Sequence, residues 1–206
     1  MPCYEPYTVM AGHVITYTVR VVRWQPDAQQ RLKQAAMELF TEHGFAATTV
    51  PEITARAGLT TRTFHRHFAD KREVLFAGED IPAMAAAMMA EAPPSLDPMA
   101  LIMAGLTALA ETQFEGRRDE IRTRRDIIRS DAGLGERELH KRATVSEAVR
   151  LSFVARGEPA TRAALLAETS VTLLHVSVQE WLDSNDDRTL AAILAATLTA
   201  LRSALT

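Results

Sequence analysis

From residue 26 onward, apolar residues recur at the three- and four-residue spacing of an α-helix, with short breaks between the segments. Leu32, Ala35 and Leu39 begin the first such stripe. Nothing downstream shows the alternating pattern of a strand. The sequence therefore predicts an all-α fold of about nine helices. They are expected at about residues 26–43, 50–57, 61–68, 70–90, 97–114, 117–130, 136–156, 160–184 and 188–204.

Capping signals define two short helices near the start of this pattern. Thr49 followed by Glu52 forms a capping box, in which a hydroxyl and a carboxylate bind the free amides of a helix start. Gly58 suits a left-handed helix end, as Gly44 does for the first helix. Thr60 can then cap the next helix. The spacing predicts a helix, a tight turn and a second helix.

Other residues set the expected limits of the remaining helices. Pro26 suits a first helical position, where the missing amide costs nothing. Pro82 predicts a kink in the fourth helix, because proline removes an internal hydrogen bond. Gly133 and Gly135 predict an interruption before the seventh helix.

Residues 1–23 differ from the rest of the chain. The stretch 14–19 is rich in β-branched and aromatic residues, yet no partner strand is evident. We expect a loosely ordered N-terminal extension. Alternatively, translation begins near Val21 or Val22, and residues 1–20 are not native sequence.

The charge of the chain is unevenly distributed. The formal net charge is −3 overall. Between residues 53 and 72, however, five cations face one anion, Asp70, which gives +4. A local basic patch on an acidic chain is typical of a small nucleic-acid-binding unit, although a solvated charged face has the same composition. The cations are Arg56, Arg62, Arg66, Lys71 and Arg72.

Other function classes receive little support. No run of about 18 uncharged apolar residues predicts a membrane span. A single cysteine, Cys3, and no secretory signal favour a cytoplasmic location. The sequence has no glycine-rich phosphate loop and no nucleophile elbow, and His65 and His67 lie too close in sequence to form a helical metal pair. We therefore expect no catalytic residue, cofactor or metal.

The second short helix has two distinct faces. Phe64 and Phe68 are four residues apart and should pack inward. The opposite face carries donors that suit bases and phosphates, as in a DNA-binding helix-turn-helix. An ordinary three-helix bundle with a polar face is the alternative. The outward residues are Thr61, Arg62, Thr63, His65 and Arg66.

Over about fifty residues this segment closely resembles the N-terminal domain of the TetR family of repressors. The family is all-α and homodimeric, and most members leave their operator when a small molecule binds. The resemblance implies a DNA-binding domain at residues 24–70 and a dimerisation and effector-binding domain at residues 71–206. It rests on Arg31, Leu32, Ala36, Leu39, Phe40, His43, Gly44, Phe45, Thr48, Thr49, Val50, Ile53, Ala57, Gly58, Leu59, Thr60, Phe64, Arg66, His67, Phe68, Asp70 and Lys71.

The resemblance also implies contacts with operator DNA. Thr61 and Arg62 stand at the base-reading positions of the family. Two departures are evident: His65 replaces the usual tyrosine, and Arg62 stands where glycine is common. Activators with this fold, and a helical interaction module that does not bind DNA, remain alternatives. Phosphate contacts are implied for Thr49, Thr60, Thr63, His65, His67 and Lys71.

The last two predicted helices, 160–184 and 188–204, have apolar seams at coiled-coil spacing. Leu190 and Leu194 begin one seam, and Val171 and Trp181 lie in the other. We expect these helices to form a four-helix bundle between two copies. The alternative is that both seams belong to the core of one chain.

The effector site is expected among methionine and aromatic residues, which can line an adaptable apolar cavity but also fill ordinary cores. We expect an apolar or amphipathic effector. The sixth predicted helix, 117–130, is rich in arginine, and one or two arginines could point inward to hold a carboxylate or the phosphates of an acyl-coenzyme A. The candidate lining residues are Met103, Phe114, Arg125, Phe153, His175 and Trp181.

Overall fold

A computed structural model describes residues 27–78 and 80–205, and regular structure within them is entirely helical. The all-α prediction is confirmed. The expected extension at residues 1–23 and the placement of Pro26 lie outside the described residues. Those described form ten α-helices: α1 Ala28–His43, α2 Val50–Ala57, α3 Thr61–His67, α4 Glu73–Phe76, α5 Ile81–Glu91, α6 Pro98–Leu109, α7 Arg118–Arg129, α8 Ala132–Ala155, α9 Ala160–Asp183 and α10 Leu190–Ala204.

The first four helices pack around a core of phenylalanine and aliphatic side chains. Phe64 and Phe68 of the α3 region are almost fully buried, with ring centroids 5.3 Å apart. Leu32 of α1 lies in the same core. Ile128 of α7 and Leu134 of α8 belong to this core as well, so the N-terminal helices are joined to the rest of the chain by continuous apolar packing.

Helix α1 begins at Ala28, because the Asp27 side chain accepts a hydrogen bond from the amide of Gln30 and caps the helix. Its end at Gly44 differs from the expected left-handed cap. Gly44 has a positive φ of 83° but an extended ψ of 157°. The chain therefore leaves α1 in an extended direction that brings the ring of Phe45 against Phe40, with centroids 5.1 Å apart.

The predicted fourth helix is two helices. The four-residue α4 ends at Phe76, and α5 begins at Ile81 after Asp80 accepts a hydrogen bond from the amide of Ala83. Pro82 lies in the first turn of α5, where no internal hydrogen bond is lost. The expected proline kink was therefore wrong, since Pro82 helps to start a helix and does not bend one.

The start of α8 also differs from the prediction. Asp131 accepts a hydrogen bond from the amide of Leu134 at 3.0 Å, and the helix begins at Ala132. Gly133 and Gly135 lie inside its first turn. A good cap offset the weak helix propensity of glycine here, so the expected interruption is absent.

Helix α6 continues into a π-helical turn, Ala110–Phe114, in which the amide of Glu115 donates to the carbonyl of Ala110. This wider turn rotates the residues that follow relative to α6. Such turns often occur at functional sites. Here Thr112 and Phe114 of the turn contribute to the cavity described below.

The long helices α8 and α9 form the centre of the C-terminal part, with α10 packed on α9. Small buried residues on α9, among them Ala163, Ala167 and Ser177, allow the neighbouring backbones to approach closely. Leu190 and Leu194 of α10 are fully buried within the chain. These two residues of the predicted seam therefore pack within the chain, whereas Leu201 and Ala204 at its C-terminal end are half-buried and exposed.

The Asp131 cap can be tested by replacing Asp131 with alanine. We expect the free energy of unfolding to fall by about 0.5–2 kcal/mol, the usual cost of losing a helix cap. Urea denaturation of the full chain measures it. Glu136→Ala, in an exposed position of the same helix, is the control and should change stability less. Equal losses in the two variants would contradict a special role for the cap.

Candidate DNA-binding surface and effector cavity

The turn between α2 and α3 is fixed by caps on both sides. Thr49 and Glu52 form the predicted capping box: the Thr49 amide donates to the Glu52 carboxylate at 2.7 Å, and the Glu52 amide donates to the Thr49 hydroxyl at 3.4 Å. Gly58 has φ 64° and ψ 37°, a left-handed conformation that favours glycine. The Thr60 hydroxyl accepts from the amide of Thr63 at 3.2 Å. These bonds hold α3 at a defined angle to α2.

Helix α3 presents its polar face to solvent. The side chains of Thr61, Arg62, His65 and Arg66 are exposed, opposite the buried Phe64. Thr63 is half-buried and shares a hydrogen bond of 3.0 Å with Thr60. The structure therefore brings the candidate base-reading and phosphate-contacting residues of α3 together at one surface.

The basic patch has fewer unpaired cations than the five counted in the sequence. Arg56 points toward α1, where its guanidinium donates two hydrogen bonds to Glu42 at 2.8 and 2.9 Å. This pairing lowers the pKa of the Glu42 carboxyl. By contrast, Arg62, Arg66 and Arg72 are exposed and have no ion pair within residues 27–78 and 80–205. Their charge is available to an external anion.

For two candidate phosphate-contacting residues, Lys71 and His67, part of the side chain faces the protein interior. The Lys71 ammonium donates to the carbonyls of Phe45 and Thr48 at 2.8 Å, and to that of Ala46 at 3.3 Å. It also lies 4.4 Å from the centre of the Phe45 ring. Lys71 thus ties the loop between α1 and α2, a role that sequence reasoning missed. The Nε2 atom of His67 is buried without a hydrogen-bond partner, so a phosphate contact there needs the other ring nitrogen or another rotamer.

A cavity of about 460 Å³ lies among α5–α9. Of the six candidate lining residues, Phe114, Arg125, Phe153 and His175 line it. Met103 and Trp181 do not: both pack in the adjoining core, where the ring of Trp181 lies 6.3 Å from that of Phe114. Most of the wall is apolar. Methionines that share it are Met84, Met88 and Met89.

Two half-buried cations at the cavity were not among the candidates. Arg124 of α7 donates through Nε to the carbonyl of Leu75 at 2.6 Å. Lys141 of α8 donates to the carbonyl of Phe76 at 2.8 Å. Burial lowers the pKa of both groups, and burial together with Arg142 lowers the pKa of His175. The arginine-rich pattern of residues 117–130 signalled Arg124, but no sequence pattern distinguished Lys141.

The helix-turn-helix region is similar in sequence to known proteins. The family model described as "Bacterial regulatory proteins, tetR family" matches residues 32–77, from α1 to just beyond α4. An uncharacterized HTH-type transcriptional regulator of Bacillus subtilis (strain 168), YerO, is 35% identical over 49 residues, which cover 24% of this chain and 17% of that protein. Residues 32–77 are therefore similar in sequence to the DNA-binding domain of TetR-family regulators.

The TetR-family fold extends over most of the chain. The crystal structure of FadR from Thermus thermophilus, a TetR-family repressor in complex with lauroyl-CoA, has a TM-score of 0.51 at 21% identity. It covers 86% of this chain and 95% of FadR. Native NalD from Pseudomonas aeruginosa, the secondary repressor of the MexAB-OprM multidrug efflux pump, gives 0.58 at 16% identity, with 85% and 95% covered. At these identities the similarity shows the fold alone.

Within residues 27–78 and 80–205, no helix combines the length and the apolar character needed to span a membrane. The same residues contain no cluster of three or more histidine, cysteine, aspartate or glutamate side chains that could hold a metal ion.

The tie made by Lys71 can be tested by replacing Lys71 with methionine, which keeps the stem but removes the ammonium. We expect a loss of about 1–3 kcal/mol in the free energy of unfolding, because three carbonyls lose a charged donor. Thermal and urea denaturation measure the loss. Arg72→Met is the control, since the Arg72 side chain is exposed and makes no hydrogen bond within the described residues. Equal stability of the two variants would contradict this structural role.

Proposed function

We propose that this chain is a TetR-family transcriptional regulator: a sequence-specific DNA-binding repressor that leaves a palindromic operator when a small molecule occupies its cavity. The observation that carries the proposal is the surface of α3. A rigidly capped helix presents Thr61, Arg62 and Arg66 to solvent, and neither arginine has an internal ion pair within the described residues.

Base reading is assigned to the N-terminal half of α3. Arg62 can donate two hydrogen bonds to the O6 and N7 atoms of guanine, and the methyl and hydroxyl of Thr61 can contact a neighbouring base. We therefore expect a guanine in each half-site. Phosphate contacts are assigned to the surrounding polar side chains, which fix the register of α3 in the major groove. They are Thr49, Thr60, Thr63, His65, Arg66, His67 and, in place of one of its three internal carbonyl bonds, Lys71.

The cavity is assigned to the effector. Its wall is largely apolar, with a few charged and polar groups, which is the usual composition of a small-molecule site. The structure of FadR, a repressor in complex with lauroyl-CoA, supports an amphipathic effector for a protein with this fold. An apolar or amphipathic ligand fits both observations.

A homodimer through α9 and α10 is part of the proposal. Helix α9 exposes an apolar face at Leu165 and Val176, which are 64% and 44% exposed, with Thr172 between them. Helix α10 exposes Ala192 and Thr199. Four such helices from two copies can form a bundle with twofold symmetry. Two recognition helices about 34–36 Å apart would then meet successive major grooves.

Two alternatives give different results in simple assays. An activator with the same fold would bind the same kind of operator but would raise transcription. A helical interaction module would show no duplex binding, whereas the proposed regulator should lose affinity for DNA steeply as the salt concentration rises.

We also propose a cytoplasmic location, because a DNA-binding regulator must reach chromosomal DNA.

The proposed function is tested by footprinting the full chain on DNA upstream of its own gene, together with selection of binding sites from random duplexes. We expect protection of a near-palindrome and enrichment of the same sequence. Binding that shows no sequence preference and no salt dependence would contradict the proposal.

The assignment of Arg62 is tested by replacing Arg62 with alanine. Loss of a bidentate guanine contact should weaken operator binding by about 1–3 kcal/mol and relax the preference at one position of each half-site. Arg66→Ala is the matched control on the same helix, and as a phosphate contact it should weaken all sequences similarly. Affinities are measured by fluorescence anisotropy on the selected site and its point variants. Unchanged base preference in Arg62→Ala would refute the assignment.

The proposed dimer is tested by replacing Val176 with glutamate. Burying two carboxylates in an apolar interface should weaken association by about 2 kcal/mol or more. Leu151→Glu is the control, because Leu151 is a 52% exposed leucine on α8, outside the proposed interface. Sedimentation equilibrium measures association. If Val176→Glu still forms a dimer and Leu151→Glu does not, the proposed interface is wrong and the dimer forms through α8.

A further inference from the structure

The charged side chains that line the effector cavity are unbalanced. The wall contains four arginine or lysine side chains and a single carboxylate, Glu138. Arg125 is already neutralised, since it contacts Asp183 at 2.6 Å and Asp126 at 3.2 Å. The remaining three cations, Arg124, Lys141 and Arg142, form what we call the cation cluster.

None of the three cluster cations makes an ion pair within the described residues. Carboxylates interact with them only at longer range: Glu138 and Glu120 with Arg124, and Asp80 with Lys141. On the cavity wall itself, three cations stand against one carboxylate, which leaves an excess of two positive charges. A buried charge that is not paired is costly, and an arginine cannot escape the cost by losing its proton. An anion entering the cavity would therefore be stabilised.

The hydrogen bonds of the cluster are also incomplete. Arg124 and Lys141 each donate to one backbone carbonyl, whereas a guanidinium has five N–H donors and an ammonium has three. His175 lies on the same wall, and its imidazole ring offers a further N–H donor. The wall therefore offers both positive charge and unused donors to one ligand group.

We infer that the cavity binds a carboxylic acid with an apolar chain, as its anion, with the carboxylate at the cation cluster and the chain along Met84, Met88 and Phe153. An arginine and a carboxylate can pair through two parallel hydrogen bonds. The regulatory part of this inference rests on the proposed function, whereas the binding part does not.

The position of the cluster links the ligand to the DNA-binding domain. Arg124 and Lys141 hold the carbonyls of Leu75 and Phe76, which are at the C-terminal end of α4. The side chains of Val74 and Leu75 belong to the core of the helix-turn-helix domain. A ligand carboxylate that draws Arg124 and Lys141 toward itself would lengthen their hydrogen bonds to these two carbonyls. Binding should therefore loosen the attachment of α4 to α7 and α8.

The ligand class is tested by calorimetric titration of the full chain, without DNA, with three probes of equal chain length. These are decanoate, decan-1-ol and decylamine. We expect decanoate to bind at least tenfold more tightly than decan-1-ol, and decylamine to bind least well. Decanoyl-coenzyme A, which lacks the carboxylate, should bind no better than decan-1-ol.

Two substitutions test whether the cation cluster causes the preference for the acid over the alcohol. Lys141→Met and Arg142→Met should each reduce the ratio of decanoate to decan-1-ol affinity at least fivefold. Arg150→Met is the matched control, because Arg150 lies on the same helix, pairs with Glu147 and does not line the cavity. Equal affinity for the acid and the alcohol, tighter binding of the coenzyme A ester, no binding of any probe, or an unchanged ratio in both cluster variants would overturn the ligand assignment.

The link to α4 is tested by hydrogen exchange. Saturating decanoate should speed amide exchange in residues 73–78 at least threefold, and decan-1-ol should not. Unchanged exchange there would refute the link. If the chain binds decanoate but not DNA, the inferred ligand class stands and the proposed function is refuted. If the chain binds its operator but not decanoate, the proposed function stands and the inferred ligand class is refuted.

Discussion

The attachment of the helix-turn-helix to the rest of the structure depends on one shared apolar core. Phe64 at the centre of the helix-turn-helix shares this core with Ile128 of α7 and Leu134 of α8. The DNA-binding helices are therefore not attached by a flexible linker but by side chains packed at close to crystalline density. Because packed cores do not deform continuously, a rearrangement at α7 or α8 must be met by a discrete adjustment of the N-terminal helices.

The helix-turn-helix was predictable because its signals are local. A capping box at Thr49 and Glu52, a glycine with positive φ at Gly58 and two phenylalanines four residues apart each report on a few neighbouring residues. All of them point to the same geometry. Agreement between local preference and tertiary packing is what makes a short sequence specify one structure.

The errors about surface charge and interfaces concern residues whose partners lie far away in the sequence. Arg56 was counted in the basic patch, but Glu42, fourteen residues earlier, neutralises it. Leu190 and Leu194 have the spacing of an interface, yet the rest of the chain covers them completely. Spacing tells which residues share a face, and it cannot tell which surface covers that face. For the same reason Lys141 escaped notice, since its partner carbonyl is 65 residues away.

Helix α9 is apolar on two sides, and this has a consequence for communication between subunits. One side carries cavity-lining residues such as His175, and the next residue, Val176, is on the face proposed to meet a second copy. A helix is about 10–12 Å across including its side chains. In such a dimer each ligand would be separated from the neighbouring subunit by the width of this one helix. A ligand that shifts α9 would then alter the affinity of the second cavity, and the two sites would fill cooperatively.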